Sequence, residues 1–246
     1  MTIAAHLKEL RRRLIFALLG IAAASIGGWF LYELALAHIT APMRDIGGAE
    51  LNFQTIGAAL DLKLRVTLWL GILMSSPWWI YQTLAFLWPG LKNRERSWLA
   101  VFGFFGVVLF AGGAVFGDWT APRAVQILAS FTPPEAVMLL SADSYIHFYI
   151  RLVIAFGLSF LIPEILVMLN FVGVLRARQM LKAWRLAVMV ALVFSAIANP
   201  LPTPWPILLQ AGALLTLYFG AVGISALHDC LRGRRRKLGS CGSARE

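Results

Sequence analysis

Two glutamates flanking apolar runs carry the most pointed chemistry in this chain. Glu95 closes the stretch Ser75-Ser-Pro-Trp-Trp-Ile-Tyr-Gln-Thr-Leu-Ala-Phe-Leu-Trp-Pro-Gly-Leu-Lys-Asn-Arg-Glu-Arg96, where it stands among Lys92, Arg94 and Arg96. Glu9 sits beside Arg11, Arg12 and Arg13, just before the first apolar run. Two carboxylates on one surface can each accept a guanidinium through paired N–H···O bonds. A partner presenting consecutive arginines would then be read by two ion pairs, with Lys a poor substitute. The competing reading leaves both glutamates solvated and paired to adjacent basic residues, an arrangement that contributes only ~0–1 kcal/mol. A third acid, Glu164, follows Pro163 well inside an apolar run. Ionisable groups inside spans cost about 2.5–3.5 kcal/mol on insertion scales and mark polar cavities. Its alternative is a carboxylate snorkelling near the boundary of the bilayer.

The elements that must position these groups follow from composition. The chain has 246 residues, 59% of them hydrophobic and only 14% charged. Soluble domains carry about 25% charged residues, so this sequence is built for another solvent. Apolar runs approaching the ~20 residues needed to cross a bilayer recur along it. The expected fold is an all-α integral membrane protein with six spans, at about 14–37, 61–86, 98–117, 145–172, 184–198 and 207–227. Loops fall at 38–60, around Glu95, at 118–144 with Pro122, at 173–183, and in the Pro-rich turn 199–206. Pro77 lies inside the second run, where a membrane helix with neighbours tolerates the freed carbonyl. The membrane domain is expected over 1–228 and a disordered basic tail over 229–246.

A net charge of +10 could suggest nucleic acid, but the Lys and Arg cluster between apolar runs. The leading segment, the Glu95 loop, the 173–185 region and the tail hold 17 of the 22 basic residues, so the positive-inside rule puts both termini in the cytoplasm. The remaining five are Arg44, Lys63, Arg65, Arg123 and Arg151. Cys230 and Cys241 lack metal-ligand spacing and read as reduced thiols. No cleavable signal is expected; the first run is too long for one and remains a span. No G-x-x-x-x-G-K-[ST] phosphate loop and no His-Glu-x-x-His set occurs, so no cofactor, metal or nucleotide is expected.

His6-Leu-Lys-Glu-Leu-Arg-Arg-Arg-Leu14 resembles the H-L-x-E-L-R-x-R-L opening of the TatC family, the multispanning receptor of twin-arginine translocation. The stretch around Glu95 is similar to that family's second signature, S-P-x-x-x-Y-Q-x-x-A-F-x-x-P-G-L-x-x-x-E-R. Ala41-Pro42 and Phe156-Gly-Leu-Ser-Phe160 are further matches. The resemblance implies a concave bundle in the cell membrane, with short fifth and sixth spans. It implies twin-arginine signal peptides bound at Glu9 and Glu95, with Arg11 supporting the site and Phe86 and Pro42 shaping its faces. From the residues alone, these three read as a topology-setting charge, a core aromatic and an ordinary turn proline. Single-span partners of the TatA/TatB type, a homo-oligomer within a larger complex and the proton gradient as energy source are likewise implied.

The sequence departs from the family pattern in three places. Leu161 occupies the position of a glutamate in span four, and Glu164, three residues on, is the candidate replacement on nearly the same helix face. Thr203 stands where an acid is expected in the Pro-rich turn, and Phe219 follows Leu217-Tyr218 where the family carries another. Gln210 would contact a partner helix or bond a neighbouring one. These losses leave a divergent or accessory copy as one alternative. Another is a small-solute or ion transporter with Glu164, Arg151 and His147 forming a polar pathway. A membrane enzyme is a distant third, because Ser159 and Ser195 read as helix-packing residues.

Overall fold

The computed structural model describes residues 3–44, 57–87, 96–130, 141–198 and 204–242. These form eight helices: α1 (Ile3–Arg44), α2 (Ala58–Met74), α3 (Ser76–Leu87), α4 (Arg96–Ala129), α5 (Ala142–Val172), α6 (Ala177–Lys182), α7 (Trp184–Ala198) and α8 (Pro204–Gly242). Among the described residues four stretches are long and apolar enough to cross a membrane: His6–Pro42, Ala100–Ile127, Ala142–Phe171 and Pro204–Cys230. A shorter apolar helix spans Trp184–Ile197. Large apolar side chains cover the outside, with Phe30 81% exposed and Leu34 71% exposed, as an apolar solvent requires.

The second apolar run does not stay one helix. Pro77 has no N–H to offer, and the chain turns at Ser75 between α2 and α3. Side chains add bonds at the break: Ser75 Oγ donates at 2.6 Å to Gly71 O, which also accepts from the Ser75 N–H, and the Trp79 indole donates to Ile72 O at 3.1 Å. A break inside the bilayer survives only on such substitutes.

The two most heavily packed helix pairs are α4 with α5 and α1 with α2, and small residues let them approach. A Cβ added at Gly71 in α2 would lie 2.1 Å from Ser25 Oγ of α1. One added at Gly113 in α4 would lie 2.6 Å from the Phe156 carbonyl oxygen of α5. Without a hydrophobic drive between helices in lipid, such contact surfaces supply the attraction. The main core joins α1, α2, α4 and α5 through Ile39, Val66, Trp69, Val125, Tyr149 and Phe156. A smaller cluster of Phe102, Val167, Met168 and Ala221 ties α4, α5 and α8 together.

Three expected boundaries shift. Pro42 lies inside the end of α1, not in a loop; Thr40 Oγ1 donates to Leu36 O and Tyr145 Oη to Ile39 O, each at 2.8 Å, holding that end in place. Pro122 lies inside α4, which runs on to Ala129 where a loop is expected from residue 118. Ala121, Ala124 and Val125 are buried there, so packing offsets the missing hydrogen bond. The backbone of α8 stays helical to Gly242, inside the segment expected to be disordered; that stretch holds Arg, Lys and Leu helix formers and no proline.

Candidate functional site

The start of α1 is fastened to the end of α3 by polar and aromatic contacts. His6, Glu9 and Arg13 share one face of α1, spaced at one helical turn each. Gln82 and Phe86 share a face of α3 at the same spacing. The His6 and Phe86 rings lie 4.4 Å apart, centre to centre. Arg13 Nε donates to Glu9 Oε1 at 2.8 Å, while Arg13 Nη1 donates to Gln82 Oε1 at 3.0 Å. Gln82 is buried, whereas the Glu9 side chain keeps 28% exposure. Arg13 therefore uses one fork on each helix and leaves part of the Glu9 carboxylate accessible to an incoming cation.

Arg11 is exposed and sits two positions from Glu9, on a different side of α1. The residue that bridges to α3 is Arg13, which sequence reading passed over, together with its acceptor Gln82. The helical spacing from Glu9 to Arg13 was the available signal. Phe86 faces His6 as a half-buried aromatic. Pro42 stands 33 residues along α1 from Glu9, about 50 Å away at 1.5 Å per residue, so the two are not brought together. Glu95 and Thr203 lie outside the described residues, although α3 ends at Leu87 and α4 resumes at Arg96, directly after Glu95.

The family model described as Sec-independent protein translocase protein (TatC) matches residues 5–212. A Sec-independent protein translocase protein TatC of Xylanimonas cellulosilytica is 39% identical over 237 residues, covering 94% of this chain and 85% of that one. The chain belongs to the TatC family. A Synechocystis TatC is 35% identical over 220 residues, covering 89% of this chain and 85% of its own. A crystal structure of the twin arginine translocase receptor TatC in DDM superposes with a TM-score of 0.79 at 27% identity, over 89% of this chain and 99% of that one. A second crystal structure of the same receptor gives 0.78 at 29% identity, over 90% of this chain and 98% of that one. As a TatC-family protein it is a translocase component and not an enzyme, and it belongs with other membrane subunits in a Tat translocase.

Within this TatC-family bundle, Glu164 points at α4. A Cβ on Gly106 would lie 2.8 Å from Glu164 Oε2, so the glycine makes room for the carboxyl group. Oε1 is buried with no hydrogen-bond partner among the described residues. The group borders a cavity of about 380 Å³ between α4, α5 and α8, lined by Phe102, Phe105, Val167 and Thr216 among others. Gln210 is fully buried, and its Nε2 donates to Ser159 Oγ of α5 at 3.1 Å. It thereby ties two helices of the bundle. His147 and Arg151 occupy the other half of α5: His147 Nδ1 accepts from Arg65 Nη1 at 3.0 Å, and Arg65 pairs with Asp61 at 2.8 Å. Arg151 stands 13 residues from Glu164, about 20 Å along the axis, with Ser159 the sole polar side chain in the intervening sequence. No polar file joins them along α5.

Two further polar clusters escaped sequence reading because their members are far apart in the chain. His38 Nε2 lies 3.1 Å from Asp118 Oδ1, which also accepts from Tyr149 Oη, linking α1, α4 and α5. Asp229 Oδ2 accepts from the Ala177 backbone N–H at 3.0 Å, so α8 caps the first turn of α6.

Proposed function

We propose that this protein is the receptor subunit of a twin-arginine translocase. It binds the signal peptides of folded cargo through Glu9 and Glu95. With single-span subunits of the TatA/TatB type it exports that cargo across the cell membrane, driven by the proton motive force. In this reading α2 and α3 form one broken crossing and α7 a short one, giving six spans with both termini cytoplasmic. At 15 residues α7 is about 22 Å long, short of the ~30 Å hydrocarbon core, and the bilayer thins around it.

The observation that carries this reading is the ladder from α1 to α3. It sets the turn bearing Glu9 against the helix whose end leads directly into the Glu95 segment. A carboxylate already held by one arginine, with an edge left open, suits capture of a second guanidinium. Glu164 serves in this reading as the replacement for the glutamate absent at Leu161. The apolar sequence between Arg151 and Glu164 argues against a solute pathway.

The test is photocrosslinking of a twin-arginine signal peptide to the full chain in membranes. Capture falls in Glu9→Ala and in Glu95→Ala. Undiminished capture in both variants refutes the site.

A further inference from the structure

The far end of α4 carries a cation with no counter-charge among the described residues. Arg123 packs its guanidinium carbon 3.7 Å above the Trp119 ring and donates one Nη1 bond to the Trp119 carbonyl at 2.7 Å. No carboxylate pairs with it among the described residues. Asp118, the acid nearby in sequence, is engaged by His38 and Tyr149. The remaining guanidinium donors have no acceptor among the described residues and are exposed.

Their setting indicates what. Trp119 and Arg123 stand 23 and 27 residues beyond Arg96, about 35 and 40 Å along α4. That distance exceeds the ~30 Å hydrocarbon core and reaches the headgroup layer. Trp205, at the start of α8, borders the same cavity of about 440 Å³. Both tryptophans are exposed, at 48% and 59%, as in an interfacial aromatic belt. Gln126 and Ser130 add polar groups to the lining, while Ile127 and Leu209 supply an apolar part. Among the described residues the lining offers one cation, interfacial indoles, an apolar recess and no acid, a set that complements a phosphodiester carrying acyl chains.

We propose that this cavity is a binding site for an anionic phospholipid, with Arg123 holding the phosphate and the two tryptophans flanking the glycerol region. The lipid would pin the outer ends of α4 and α8 together.

The full chain in detergent is titrated with phosphatidylglycerol, and bound lipid is counted by native mass spectrometry. Arg123→Gln weakens binding by about tenfold, the scale of a lost charged hydrogen bond. Arg123→Lys restores part of it, and Arg185→Gln, an exposed arginine on α7, leaves it unchanged. Phosphatidylcholine binds several-fold more weakly and does not respond to Arg123→Gln. Unaltered binding in Arg123→Gln, equal loss in Arg185→Gln, or equal binding of phosphatidylcholine overturns the proposal. Displacement of the lipid by excess inorganic phosphate would assign the site to free anions and overturn it too.

Discussion

Arg13 stands between an acid and an amide, and that arrangement decides how single substitutions at the α1–α3 junction should behave. Replacing Gln82 by Ala removes one of its two acceptors and leaves the Glu9 pair intact. Signal-peptide capture should fall only a few-fold in Gln82→Ala, and much further in Glu9→Ala; side-by-side crosslinking yields checks this. At the buried acid, Gly106→Ala drives a methyl against Glu164. Overpacking costs about 1–3 kcal/mol, and the cost should largely vanish in Gly106→Ala/Glu164→Ala. Unfolding of the four proteins in a double-mutant cycle measures it, and a purely additive result would contradict the contact. Glu164→Gln keeps the shape but loses the ionisable oxygen, and export assays should show impairment. Normal export would return Glu164 to the boundary reading.

The helices were largely legible and their ends were not. Apolar length located the four helices long enough to cross a membrane and the short α7, because length and composition report directly on the solvent a helix needs. Proline misled at the margins. Pro122 was read as a loop residue, yet Ala121 and Val125 bury themselves against the bundle and carry α4 past it. Pro77 was expected as a tolerated interior proline, and the chain breaks into α2 and α3 beside it, with Ser75 and Trp79 side chains bonding Gly71 O and Ile72 O across the break. The Glu9 motif was readable from residue type and spacing. The contacts of Arg13 with Gln82 and of Asp229 with α6 were not, since they depend on how distant segments pack. At this scale, Asp229→Ala removes the acceptor for the Ala177 amide at a cost of about 1 kcal/mol. Faster hydrogen exchange confined to the first turn of α6 is the expected signature.

The whole molecule joins the α1–α3 junction, the recognition surface proposed above, to a bundle whose helices touch through glycines. Closing the Gly113 gap with a larger side chain should therefore act globally: Gly113→Leu forces α4 from α5 and should sharply lower the yield of folded protein in membranes. The family's acidic positions at Leu161 and Thr203 are filled otherwise here, while both signature stretches are retained. Recognition of the passenger and its transport are thus separable questions for this chain, and recognition is the one on which the rest depends. The most direct measurement is equilibrium binding of two signal peptides, one with consecutive arginines and one with lysines in their place, to wild type, Glu9→Gln and Glu95→Gln. The account predicts that the arginine peptide binds wild type at least about tenfold more tightly, the value of one charge-assisted bond, and that either variant erases the preference. Equal affinity of wild type for both peptides, or an arginine preference that survives in both variants, would contradict it.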